Sequence, residues 1–312
     1  MLEKNPEYYI ENFKNKYFTN DGKNRAFVNF NGFKTLWFNT GTLCNIKCKN
    51  CYIESSPKND ALVYIKFEEV KKYLDEIESS EKIETVGLTG GEPFMNPEII
   101  KIISECLRRN FDVLVLTNAM RPMMRHNFSL IDLNKKYSNK LCIRVSLDSF
   151  DSQTHDFHRG QNSWNKALLG LLWLSDNNFN LKLASRKFSA EHENDIRESF
   201  KFLFEEFKIK LDAFSNDDLI IFPEMTDHPF SPEVSTECWD KVKIKPNELM
   251  CSNSRMVVKK KNANEPNVQA CTLIPYDSDF NLGKTLKKSK KKVFLNHRFC
   301  SQFCVLGGSK CT

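Results

Sequence analysis

The chain has 312 residues, 40% hydrophobic and 12% aromatic, which is enough apolar side chain for a sizeable core and excludes disorder of the whole chain. Lysine and arginine total 46 against 40 acidic residues, and a formal excess of +6 is too small to argue for a nucleic-acid partner. Much of it sits in Lys284, Lys287, Lys288 and Lys290 to Lys292, a run that reads as a solvated loop and lacks the interleaved aromatics of an RNA surface. Residues 1–16 lack the apolar stretch of a secretory signal, and nowhere do roughly 18 apolar residues run together, so a soluble, cytoplasmic protein with no membrane partner is expected. In that setting eleven cysteines argue for metal and against a disulfide framework.

In chain order, residues 33–39 read as a strand that runs into Gly41 and a cysteine loop. Residues 67–78 have helical apolar spacing through Val70, Tyr73, Leu74 and Ile77. A strand at 83–88 ends in Thr89-Gly90-Gly91-Glu92-Pro93. Asn96 followed by Pro97 then predicts the start of a helix reaching to about 109. Residues 111–116 and 141–147 are continuous apolar strands, the pattern of a parallel sheet buried on both faces. Strands at 179–184 and 219–222 and helices near 125–136, 163–176 and 192–206 complete the alternation. It predicts an α/β fold, either an open parallel sheet or an incomplete barrel, with chemistry in loops at the carboxyl ends of strands. After residue 235 the alternation stops and cysteine returns. The expected division is an N-terminal extension over 1–33, a core over 34–235 and a small cysteine-rich module over 236–312.

Cys44, Cys48 and Cys51 are spaced C-x3-C-x2-C and followed by Tyr52. Soft thiolates suit an iron–sulfur cluster or zinc. A fourth cysteine is missing nearby, since Cys106 and Cys142 fall on an expected helix and strand. A 4Fe–4S cluster with three protein ligands leaves one iron open for another molecule, whereas structural zinc closes itself with four.

The triad, the aromatic residue after it and Gly90-Gly91-Glu92-Pro93 one β/α unit downstream together resemble the radical S-adenosylmethionine (SAM) superfamily. The resemblance implies a partial (β/α)6 TIM-like barrel, a 4Fe–4S cluster on Cys44, Cys48 and Cys51, and SAM bound to the open iron by its amino and carboxylate groups. Reductive cleavage of SAM would then yield a 5′-deoxyadenosyl radical that abstracts hydrogen from the substrate. It also implies cofactor contacts from Tyr52, Gly90, Gly91, Glu92 and Pro93, with Glu92 accepting from the methionyl ammonium. Asn118 would lie near SAM. Ser146 and Asp148, in a family-like S-L-D segment, would reach the ribose or methionyl carboxylate, and Arg159 would partner a carboxylate. Helix capping by Asp148 or Asp151 and a surface ion pair for Arg159 are the plain alternatives.

Cys251, Cys271, Cys300, Cys304 and Cys311 form a second group, similar to the SPASM and twitch extensions that hold auxiliary 4Fe–4S clusters. Five cysteines fit a twitch-like module with one cluster better than a full SPASM pattern, and Asn267 stands where those modules carry glycine. Zinc is the rival there. Arg255 and Glu224 are candidates to face an anionic group or the site, and Cys238 reads as an ordinary thiol. The expected partners are a small-molecule or peptide substrate and an electron donor such as flavodoxin or ferredoxin. The roughly 33 residues before the core are short for a leader-binding domain. A non-catalytic iron–sulfur or zinc scaffold is the reading from another class.

Overall fold

The computed structural model describes residues 12–80, 82–188, 191–224 and 231–308. After a short strand β1 (Phe27–Val28) come β2 (Thr35–Asn39), α1 (Phe67–Ser80), β3 (Thr85–Thr89), α2 (Ile99–Arg108) and β4 (Asp112–Thr117). The chain continues through α3 (Arg121–Met124), α4 (Asn127–Tyr137), β5 (Leu141–Ser146), α5 (Ser152–Arg159), α6 (Ser163–Asp176), β6 (Asn180–Lys187), α7 (Glu193–Glu206) and β7 (Leu219–Pro223). Strands β2 to β7 pair in parallel in chain order and do not close, which is the incomplete barrel expected. Alternation sets the two faces of each strand. Leu36, Phe38, Val86, Leu88, Ile143 and Val145 point into the main core against the helices, whereas Trp37 and Leu114 pack with Met256 on the other face.

Three elements differ from expectation. Asn96 does not cap a helix beginning at Pro97; α2 starts at Ile99, and the Asn96 amide instead donates to the carbonyls of Thr40 (3.1 Å) and Ile65 (2.9 Å). Its own Oδ1 accepts from Glu98 N–H at 2.9 Å, so it turns the chain one step earlier. Helix α5 was not foreseen, although Asp151 caps it by accepting from Thr154 N–H. The sheet also continues past residue 235. Strand β8 (Ser254–Val258) pairs in parallel with the free side of β2, and β9 (Asn267–Gln269) and β10 (Asn281–Gly283) extend it antiparallel.

After a short α8 (Leu286–Ser289), β11 (Val293–Phe294) pairs antiparallel with β1, and a π-helical stretch covers Cys300–Val305. A second core therefore gathers both ends of the described chain: Ala26 and Val28 pack with Leu249, Phe280, Leu295 and Phe303. Arg25, fully buried, donates to Glu233 at 2.5 Å beneath it. Among the described residues no helix is long and apolar enough to cross a membrane.

Candidate functional site

The cysteine loop is held to the next strand by backbone. Gly91 N–H donates to Gly41 O (2.7 Å) and Glu92 N–H to Leu43 O (3.1 Å), while Lys49 N–H donates to His158 O (2.7 Å) at the end of α5. Both glycines are needed for this seam. Gly90 has φ +148° and a Cβ there would meet Gly41 O at 2.5 Å; a Cβ on Gly91 would overlap Leu43 O. Their close approach is thus to the cysteine loop's own backbone.

Cys44, Cys48 and Cys51 line one cavity of about 960 Å3, including its open mouth, at the carboxyl ends of the strands. Tyr52, Gly90, Gly91, Asn118, Ser146, Asp148 and Arg159 share its wall, so most of the expected site residues come together. Burial pushes the Cys44 thiol up to about 12, and Cys48 upward as well, against the pull of the Arg159 guanidinium. Asn118 Nδ2 donates to Asn45 Oδ1 (2.9 Å) and lies 3.9 Å from Cys44 Sγ, and its backbone N–H donates to Glu92.

Glu92 and Pro93 stand outside the cavity wall. The buried Glu92 carboxylate accepts from Phe94 N–H (3.1 Å), Thr117 Oγ1 (2.8 Å) and Asn118 N–H (2.9 Å), which locks the ends of β3 and β4 together. Burial raises its pKa to about 7, with those donors acting in the opposite direction. Pro93 opens a short 3-10 turn.

Both carboxylate oxygens of Asp148 are engaged by arginines. Arg159 Nη2 donates to its Oδ1 at 2.8 Å and Arg186 Nη2 donates to Oδ2. Burial alone would raise this carboxyl, but the two guanidiniums outweigh it and hold Asp148 well below the usual range. Asp148 is therefore the carboxylate that orients two arginines. Arg186 was missed by sequence reasoning, because the strand was ended at residue 184. Its signal is the period of two along β6, where Lys182, Ala184 and Arg186 share one face. The Phe188 ring lies 5.6 Å from the Arg186 guanidinium and stacks on His158 at 4.0 Å.

The second group of cysteines also converges. Cys251, Cys271, Cys300 and Cys304 line an apolar cavity of about 380 Å3 walled by Phe280 and Phe299. Burial pushes Cys251 up to about 11 and Cys300 further. Cys311 lies outside the described residues. Cys238 sits 3.5 Å from Ser235 Oγ and not in this cavity. Arg255 does not face a ligand: it donates to the carbonyls of Cys251 (2.6 Å), Ser254 (2.7 Å), Ser289 (3.0 Å) and Lys291 (2.9 Å), a staple inside the second core. Glu224 follows the cavity-lining Pro223, and its charge reaches His158.

The donor sets fit iron–sulfur clusters. Three soft thiolate donors face one cavity and four the other, the ligand type that such clusters take. None of the ten described cysteines forms a disulfide.

The family model described as the radical SAM superfamily matches residues 38–203, which contain the cysteine loop, the Gly90-Gly91 seam, the end of β2 and all of β3 to β6. The chain belongs to the radical SAM superfamily, whose members bind a 4Fe–4S cluster and SAM. Within it, the chain is similar to the antilisterial bacteriocin subtilosin biosynthesis protein AlbA of Bacillus subtilis, 34% identical over 146 residues, or 46% of this chain and 31% of that protein. Among solved structures it resembles anSMEcpe with bound AdoMet, at 14% identity and a TM-score of 0.57 over 82% of this chain and 80% of that one. It also resembles SuiB of Streptococcus suis bound to precursor peptide SuiA, at 13% identity and a TM-score of 0.53 over 78% of this chain and 60% of that one. These two likenesses establish the fold. The chain spans less than a third of the length of AlbA.

Proposed function

We propose that this chain is a SAM-dependent radical oxidoreductase that modifies a peptide by hydrogen abstraction, with a 4Fe–4S cluster on Cys44, Cys48 and Cys51. The observation that carries the reading is that these three thiols share a cavity with Asn118, Ser146 and Arg159, while among the described residues no other cysteine lines it. Bound there, the cluster would supply the electron for reductive cleavage of SAM. The chain's own residues do the positioning. Arg159, aimed by Asp148, takes the methionyl carboxylate; Ser146 and Asn118 offer a hydroxyl and an amide to the ribose; Tyr52 walls the thiols from the second core. Cys251, Cys271, Cys300 and Cys304 would hold one auxiliary cluster, with Cys311 in reserve, so the division at residue 235 is read as one between cofactor sites. A peptide substrate is supported by the bacteriocin role in AlbA's name and by the precursor peptide bound to SuiB. Oxygen-labile clusters suit the reducing cytoplasm.

Anaerobically purified protein should carry about eight iron per chain, four for each cluster, and form 5′-deoxyadenosine from SAM and dithionite. Cys48→Ala should abolish that product. A colourless zinc protein, or product surviving Cys48→Ala, overturns the assignment. Should a short peptide-encoding frame lie beside its gene, co-expression with that peptide should remove two hydrogens per modification, and an unchanged peptide mass refutes the substrate class.

A further inference from the structure

We propose that Arg186 selects the substrate by binding a carboxylate that the peptide carries, an inference that rests on the reading of the site above. The cavity divides by strand. The groups assigned to the cluster and to SAM end or follow β2, β3, β4 and β5: the cysteine loop, Gly90 and Gly91, Asn118 and Ser146. The rest of the strand-borne wall comes from β6 and β7, which contribute Ala184, Ser185, Arg186, Phe222 and Pro223. That is the side left for a second reactant to lie against.

Within this part of the wall only Arg186 keeps polar capacity in hand. Ser185 Oγ already donates to the carbonyl of Asp148 (2.9 Å), and the other three side chains are apolar. Arg186 uses a single nitrogen: Nη2 donates to Asp148 Oδ2, its one hydrogen bond among the described residues, and Nε is buried without a partner. Arg159 likewise gives one nitrogen to the same carboxylate. One carboxylate thus serves two guanidiniums, and Asp148 is the sole acidic residue among the described residues of the wall. In so water-poor a place an incoming anion completes the set. The SAM carboxylate goes to Arg159; Arg186, one strand further on, is left to the substrate. Its side chain, 15% exposed, can still be reached, and a guanidinium fork matches a carboxylate at two points. It is also held ready. The Phe188 ring lies 5.6 Å from its guanidinium and is itself stacked on His158 at 4.0 Å, so little freedom is lost on binding. The carboxylate belongs either to an aspartate or glutamate near the modified residue or to the peptide's own terminus.

The test uses anaerobic holoenzyme saturated with SAM and three short probes: an acetylated, amidated peptide with one internal glutamate, the same peptide with glutamine, and the glutamine peptide with a free terminal carboxylate. Affinities are measured by saturation-transfer NMR. At least one carboxylate probe should bind about tenfold tighter than the neutral peptide, and which of them does so names the source. Arg186→Met should erase that preference while the neutral peptide binds as before. Arg186→Lys, which keeps the charge and loses the fork, should retain part of it. Equal affinities in wild type, or a preference that survives Arg186→Met, overturn the proposal. So does an equal weakening of all three probes, the mark of a structural role, or a loss of SAM affinity with the peptide preference intact, which would give Arg186 to SAM. If wild-type protein forms no 5′-deoxyadenosine from SAM and dithionite, the reading of the site has itself failed, a result separable from all of these.

Discussion

Gly91 is the residue on which the site's assembly turns. Because its absent Cβ makes room for Leu43 O, Gly91→Ala should force the cysteine loop off β3, at a cost of about 1–3 kcal/mol for overpacking. The expected outcome is lost iron and a lower Tm, measured by metal analysis and melting, and not a change in SAM affinity alone. Asp148 is the second such residue. Asp148→Asn leaves two buried guanidiniums facing each other and should cost about 3–5 kcal/mol while weakening SAM binding; adding Arg186→Met should recover part of the stability, a coupling that a double-mutant cycle measures. Arg159 and Asp148 were legible in the sequence as a pair of candidates, because the motif names them. Their mutual engagement was not, since the residue that completes it, Arg186, comes from a different strand whose end a run of polar residues concealed.

At the scale of elements, α5 was invisible for a physical reason. It has eight residues, a single buried one, His155, and too little apolar periodicity to stand out, so only its Asp151 cap marks it. That buried histidine gives the helix a pH signature. Burial holds its pKa at about 4 against an ordinary 6.5, with Arg159 and Arg186 pulling down and Asp148 and Asp156 pulling up, and Nδ1 accepts from Asp148 N–H at 3.2 Å. Above pH 6.5 the ring is neutral whether folded or unfolded and contributes no pH dependence. As pH falls from 6.5 to 4, only the unfolded chain takes the proton, so stability declines by up to about 3 kcal/mol. His297, also held near 4 by burial, adds to the slope. Denaturant melts of His155→Gln between pH 7 and 4 should show a shallower decline than wild type; an identical slope refutes the assignment. The parallel strands were legible because burial on both faces writes continuous apolar runs. The place of β8 was not, because its partner β2 lies more than two hundred residues earlier and no local pattern encodes that pairing.

For the whole molecule, the second core depends on the beginning of the described chain as much as on its end. Strand β1 pairs with β11, and buried Arg25 ties the same region to Glu233. Arg25→Ala strands a mostly buried carboxylate and should destabilise by about 3–5 kcal/mol. The loss should appear first in the second thiol cavity, so iron should drop from about eight towards four per chain while deoxyadenosine formation persists.

The π-helical stretch carrying Cys300 and Cys304 also presents Phe303, whose ring lies 5.3 Å from that of Phe222 in the wall of the cavity proposed for SAM. Just beyond it, the backbone at Gly307 comes so close to Pro223, at the same rim, that a Cβ would sit 2.8 Å from the proline ring. The rim of the catalytic chamber is thus propped from behind by the lining of the other. Emptying the rear chamber would slacken the front one, and an enzyme stripped of its distal iron would reveal the loss as poor grip on its target before any fault in electron flow.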